Sequence, residues 1–206
     1  MRINRKGGAV AVKTIIVATK NKGKIDEYRV LFAPYGYRIE SLLDYPAIPD
    51  VEETGTTFAE NALLKAKAVS ERLGGIAVAD DSGLEVSALG GAPGVHSQRY
   101  SDEGTAAANN AKLLKALAGV DSREARFVCT IVVLRPDGTH RFYQGALNGL
   151  IARVPRGTEG FGFDPLFFLP ERGCTVAELD MTEKNRLSHR GRAFLAMIAD
   201  RDWWSR

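Results

Sequence analysis

The chain has 206 residues, of which 45% are hydrophobic and 26% charged, enough for a substantial core within the size of a single domain. Its 28 Lys and Arg against 25 Asp and Glu leave a net charge of +3, too small an excess to argue for nucleic-acid binding, and no apolar run is long enough to span a bilayer. Cys129 and Cys174 have no Cys or His partner at metal-ligand spacing and read as two free thiols of a cytoplasmic protein.

Residues 1–12 lack the continuous apolar stretch and cleavage site of a secretory signal and read as a flexible extension, leaving 13–206 as one domain. Thr14–Ala18 is a β-branched apolar run that predicts a buried strand. A polar loop, Thr19–Lys24, follows, and then Ile25, Tyr28, Leu31 and Phe32 recur at helical spacing until Pro34 stops them. Tyr37–Ser41 predicts a second strand, and Asp44–Gly55 an acidic loop. Thr57 with Glu60 three residues on is a capping-box pattern, and Phe58, Ala62, Ala66, Val69 and Leu73 form one apolar helix face that Gly74 and Gly75 end. Lys65 lies off that face.

Ile76–Ala79 predicts a strand that runs into Asp80-Asp81-Ser82-Gly83, and Leu84–Val86 a further short one. Gly90–Gly94 is a turn cluster, Thr105–Leu117 a helix, and Arg126–Leu134 with Arg141–Leu147 a hairpin joined through Pro136-Asp137-Gly138. Leu150–Val154 is expected as another strand, followed by a loop to Pro165, the apolar Leu166–Phe168, and a last helix from Asn185 to Asp200. Alternating strands and helices plus a hairpin imply an α/β fold with a mixed sheet.

Several segments carry chemistry. Thr19, Lys20, Asn21, Lys22, Gly23 and Lys24 stand between a strand end and a helix start, where amides and the helix dipole favour phosphate and ammonium groups add charge-assisted bonds. The glycine spacing is not that of a P-loop, and a solvated basic helix start is the plain alternative. Asp80 and Asp81 follow an apolar strand. Glu53 with Asp81 offers hard oxygen ligands for Mg²⁺ shared with substrate phosphates, whereas a turn would use the aspartates only to cap amides. Lys65 is a candidate second cation on a polyphosphate.

Gly160-Phe161-Gly162-Phe163-Asp164-Pro165 sets two aromatics between glycines, so that Phe161 or Phe163 can stack on a base while Asp164 fixes the loop. Lys184 and Ser188-His189-Arg190 are mostly donors, suited to carbonyl oxygens on a base and unsuited to the amino group of adenine. No nucleophile-elbow pattern accompanies Ser188, and His96 and His140 look incidental.

In order, Thr19-x-Asn21-x-x-Lys24-x-x-Glu27, Thr57–Ala62 with Lys65, Ala79–Gly83, Gly90–Gly94 with Arg99-Tyr100, Gly160–Pro165 and Ser188–Arg190 resemble the Ham1 family, the inosine triphosphate pyrophosphatases, over about Thr14 to Leu195. The resemblance implies an elongated mixed β-sheet flanked by helices, two lobes with a central cleft, and a homodimer. It implies Mg²⁺-dependent cleavage of ITP, dITP and XTP to monophosphate and pyrophosphate. It gives Thr19, Asn21 and Lys24 to the triphosphate, Lys65 to phosphate charge and Ser82 to the substrate site. Asp81 becomes proton acceptor and metal ligand, Glu53 the other metal acid, and Phe161–Asp164, Lys184, His189 and Arg190 the base site. Lys20 departs from the small residue usual in the family. Two other readings compete: a non-enzymatic nucleotide sensor or nucleic-acid binder, which would not need Glu53 and Asp81, and a pyrophosphatase of modified pyrimidines like the Maf family, which His189-Arg190 argues against.

Overall fold

The computed structural model describes residues 13–205; the extension expected over 1–12 lies outside them. Seven strands form one mixed sheet in the order β2-β1-β3-β4-β5-β6-β7. The strands are β1 (Thr14–Val17), β2 (Arg38–Ser41), β3 (Ala77–Val86), β4 (Glu124–Leu134), β5 (His140–Ile151), β6 (Phe167–Leu169) and β7 (Cys174–Thr175). β1 pairs in parallel with β2 and β3, and the remaining pairs are antiparallel. The helices are α1 (Lys22–Phe32), α2 (Phe58–Leu73), α3 (Ala106–Ala116), α4 (Met181–Leu187), α5 (His189–Ala199) and the short α6 (Arg201–Trp204). Among the described residues no helix is long and apolar enough to cross a membrane.

Side chains alternate across a strand, and this alternation divides the core. Val17, Val78, Ile131 and Val133 face α1 and α5, meeting Tyr28, Phe32, Phe194 and Met197. Ala77, Ala79, Val132 and Leu134 face the opposite side, against Ala62, Ala66 and Val69 of α2. Towards the far ends of the same long strands a third cluster gathers Leu84, Val86, Phe127, Leu147 and Phe167 with Leu113 of α3. The polar stretch Asp80–Ser82 falls between these cores, in the middle of β3.

Three expectations change here. Asp80–Gly83 is not a turn between two strands. β3 runs unbroken through it, each residue paired with β4 from Asp80↔Ile131 to Gly83↔Val128. Leu150–Val154 is not a strand of its own, because β5 continues to Ile151. At Gly149, between the two expected strands, an added Cβ would overlap the Phe167 ring, so the missing side chain serves close packing. The last helix is two helices, divided at Ser188, whose extended backbone ends α4 while its hydroxyl accepts from the Gly191 N–H at 3.1 Å to cap α5.

Candidate active site

A four-residue loop, 18–21, joins β1 to α1. The helix cap is Asn21, whose Oδ1 accepts from the Lys24 N–H at 3.2 Å. This fixes Lys24 on the buried face of α1, with Glu27 and Tyr28 one turn further on. The Lys24 ammonium meets Asp80 Oδ2 at 2.9 Å. On α2, the predicted capping box is present: the Thr57 hydroxyl accepts from the Glu60 N–H at 3.2 Å and Glu60 accepts from the Thr57 N–H at 3.1 Å. The helix so anchored presents Asn61 and Lys65 to β3.

Adjacent residues of β3 point to opposite faces, so Asp80 and Asp81 take different partners. Asp81 faces α2, where Lys65 Nζ lies 3.1 Å from Oδ1 and Asn61 Nδ2 donates to Oδ2 at 3.3 Å. The same ammonium is 2.7 Å from Glu53 Oε1, and Arg99 meets Glu53 Oε2 at 2.9 Å. Asp80 faces α1 and α5. There the fully buried Arg190 donates to Asp80 Oδ2 at 3.0 Å and to Ser82 Oγ at 2.9 Å, and pairs with Glu27. Lys184 closes the chain of charges, 2.6 Å from Glu27 and 2.5 Å from Asp164.

These partners set the protonation states. Burial alone would raise Asp80, but Lys24 and Arg190 outweigh it and hold the carboxyl well below the ordinary range. Burial raises Asp81, and the opposing pull of Lys65 and Lys24 does not bring it back to the ordinary aspartate value. Burial works against the Lys65 and Lys184 charges, yet their carboxylate neighbours leave both raised. His189 is driven well below its ordinary value, first by burial and then by Arg190 and Lys184, so the ring is neutral; it stacks on Phe127 with centroids 4.8 Å apart.

Two adjoining cavities open onto this network. One, of about 270 Å³, is lined by Asp81, Ser82, Phe161, Gly162, Phe163, Asp164, Lys184, His189 and Arg190. The other, of about 550 Å³, is lined by Thr19, Lys20, Asp50, Lys65 and Arg99. Asn21, Lys24 and Glu53 border both, making one continuous site. Most residues singled out from the sequence therefore meet.

Others take different places. Lys22 is exposed and borders neither cavity. Gly23 supports the site from beneath: a Cβ there would overlap the Phe161 ring. Lys20 pairs with Asp50 at 2.8 Å. Of the two candidate stacking rings, Phe161 faces the cavity, with Lys184 Nζ 4.5 Å from its centroid. Phe163, 4% exposed, also lines that cavity but is packed into the core. Asp164 fixes the loop as expected, accepting from the Phe161 N–H at 2.8 Å. Arg190 borders the cavity, but its guanidinium is engaged with Asp80, Glu27 and Ser82.

Sequence reasoning gave no role to Asp80 or Glu27, which hold the cations in place, nor to Asn61 and Arg99. Glu27 carried a signal. A carboxylate three residues after Lys24 and next to Tyr28 sits on the inward helix face, where a buried acid requires a cation.

Among the described residues no group of three or more His, Cys, Asp or Glu side chains is arranged to hold a metal. Glu53 and Asp81 converge on the Lys65 ammonium, an arrangement with two carboxylates aimed at one cation position. That donor set fits Mg²⁺, which commonly takes one or two carboxylates and completes its shell with phosphates and water.

A family model described as the Ham1 family matches residues 15–200. A dITP/XTP pyrophosphatase of Geobacillus kaustophilus is 52% identical over 195 residues, covering 93% of this chain and 95% of that protein. One of Listeria monocytogenes is 52% identical over 191 residues, covering 90% and 93%. The solved structure of the Staphylococcus aureus Ham1 protein superposes with a TM-score of 0.81 at 40% identity, covering 92% of this chain and 98% of that one. With its mixed seven-stranded sheet and the cleft-lining residues in this arrangement, the chain belongs to the Ham1 family.

Proposed function

We propose that this protein hydrolyses non-standard purine nucleoside triphosphates (ITP, dITP and XTP) to the monophosphate and pyrophosphate, removing them from the nucleotide pool. The observation that carries the reading is the continuity of the two cavities: a half bounded by Lys24, Lys65 and Glu53 opens directly into a half walled by Phe161, Lys184 and His189, whose lining also includes Asp81, 3.1 Å from Lys65. A flat ring in the second half leaves its phosphates in the first.

In this arrangement Thr19, Asn21 and Lys24 receive the phosphates, and Lys65 offsets their charge. Asp81 is the general base. Its carboxyl is raised by burial, which makes it a better proton acceptor than an ordinary aspartate. It takes a proton from water as the water oxygen bonds to the α-phosphorus; the bond to the bridging oxygen breaks, and the electron pair leaves with pyrophosphate. Mg²⁺ held by Glu53 and Asp81 would supply positive charge to the leaving group. In the base half, Phe161 offers a stacking face, and Lys184 and His189 border the ring edge. Donors there suit a six-keto group and leave the adenine amino group without an acceptor. The family resemblance also supports a homodimer working in the cytoplasm.

Pyrophosphate release from ITP, XTP, dUTP, ATP and GTP, with and without Mg²⁺, tests this reading. ITP and XTP should be turned over far faster than ATP, and only with the metal; equal rates for ATP and ITP would contradict the base assignment. Asp81→Asn should lose at least about 10²-fold in kcat, the lower end of general-base contributions. Unchanged turnover with saturating Mg²⁺ would remove Asp81 from that role.

A further inference from the structure

Two adjacent asparagines on α3 hold opposite sides of the smaller cavity. α3 begins at the Thr105 cap, whose hydroxyl accepts from the Ala108 N–H at 3.2 Å. Consecutive helix residues diverge by about 100°, and Asn109 and Asn110 use that divergence to reach two different segments. Asn109 is 5% exposed. Its Oδ1 accepts from the Ser101 N–H at 2.6 Å and its Nδ2 donates to the Gln98 carbonyl at 3.0 Å, fixing the 3₁₀ segment Gly94–Arg99 that contributes Ser97 and Gln98 to the cavity. Asn110 turns the other way. Its Nδ2 donates to the Gly162 carbonyl at 3.0 Å, across 52 residues of sequence.

Gly162 is a critical point at which to hold the aromatic loop. It lies between Phe161, whose ring faces the cavity, and Phe163, which is anchored in the core. Gly160 and Gly162 both have positive φ, 75° and 63°, in a backbone region that few other residues occupy. The loop is outside the sheet, so its position depends on a few directed bonds: Asp164 to the Phe161 N–H on one side and Asn110 to the Gly162 carbonyl on the other.

We propose that Asn110 is a positioning residue for the base, holding the Phe161 ring at its working height through the Gly162 carbonyl, while Asn109 fixes the Ser97–Gln98 side of the same slot. α3 thereby sets the separation of two segments, of which the Phe161–Phe163 loop lines the smaller cavity alone while Gln98 and Arg99 also line the larger one. This inference rests on the reading of the smaller cavity as the base site.

The test compares Asn110→Ala and Asn110→Asp with the wild type in steady-state ITP hydrolysis, with tripolyphosphate as a competitive inhibitor that reports the phosphate half alone. Loss of one directed bond and of loop order should raise KM for ITP by about tenfold. The rate constant kcat and the tripolyphosphate inhibition constant should stay near wild-type values. Asn110→Asp keeps the size but sets an acceptor against the carbonyl, so its KM should rise at least as much; it also serves should the alanine variant fold poorly. Phe161→Ala separates the two readings. If it raises KM and neither Asn110 variant does, the positioning role is wrong while the base site stands. If Phe161→Ala leaves KM unchanged, the base-site reading fails and the inference with it. A parallel rise in KM and the tripolyphosphate constant would mean that Asn110 supports the fold generally, which also overturns the proposal.

Discussion

Arg190 has no solvent exposure, and its charge is matched inside the protein by Asp80 and Glu27. Removing one partner of such a group leaves the others buried and uncompensated, at a cost of about 3–5 kcal/mol. Arg190→Met should lower the urea midpoint accordingly, and its pH dependence identifies the cause. Burial opposes ionisation of Glu27 and of Asp80, but their cationic neighbours outweigh it and depress both carboxyls. The stabilisation from these two acids is therefore fully present above their ordinary values of 4.5 and 3.8 and is lost as pH falls through the lower folded values. Without Arg190 the folded values rise towards the unfolded ones and the two states take up these protons over a more similar range, so the variant, less stable at neutral pH, should lose less of its stability on acidification than the wild type. An identical pH profile for the two proteins would show that Arg190 contributes by packing alone. Which of the two adjacent aspartates does which work was not readable in the sequence. Asp80-Asp81 looks like one acidic pair, and only its placement inside a strand separates Asp80, held by Lys24 and Arg190, from Asp81, which faces Lys65 and Asn61.

The same placement explains what sequence patterns conveyed about whole elements. Helix starts were legible because capping is local: Thr57 and Glu60 satisfy each other's backbone N–H groups within four residues. Strand extents were not, because Asp and Gly disfavour strands in isolation, and only the long pairing with β4 carries β3 through Asp80–Gly83. β5 shows the complementary case. A Cβ at Gly145 would overlap the His189 carbonyl oxygen and the Ala193 nitrogen, so the α5 backbone packs directly against this glycine. Backbone cannot yield as a flexible side chain can, and overpacking costs about 1–3 kcal/mol. Gly145→Ala should therefore lower thermal stability and, by displacing the start of α5, raise KM for the nucleotide through His189. A melting temperature equal to that of the wild type would show that α5 can shift without loss.

At the scale of the molecule, the cations facing the cleft are held against the protein's own acids: Lys24 on Asp80, Lys65 on Glu53 and Asp81, Arg99 on Glu53, and Lys20 on Asp50. Three cores occupy the two ends and two faces of the long strands, and this polar seam between them was foreshadowed in the sequence only by the spacing of its motifs. A polyanion entering the cleft must therefore compete with carboxylates for every ammonium it meets, and it approaches Glu53 and Asp81 at the same time. A divalent cation changes both terms, since it neutralises the acids and leaves Lys65 free to face phosphate. Binding should consequently be synergistic. Tripolyphosphate and Mg²⁺ together, at about 100 times the dissociation constant, should stabilise the fold by about 2.7 kcal/mol, a rise of roughly 5–10 °C in melting temperature for a chain of this size. Tripolyphosphate in EDTA and Mg²⁺ alone should together account for a clearly smaller rise. Asp81→Asn should retain stabilisation by tripolyphosphate alone, through Lys24, and lose the synergy. If the two separate shifts simply add up to the joint one in the wild-type protein, the carboxylates at Glu53 and Asp81 do not bring metal and phosphate together, and the metal assignment fails.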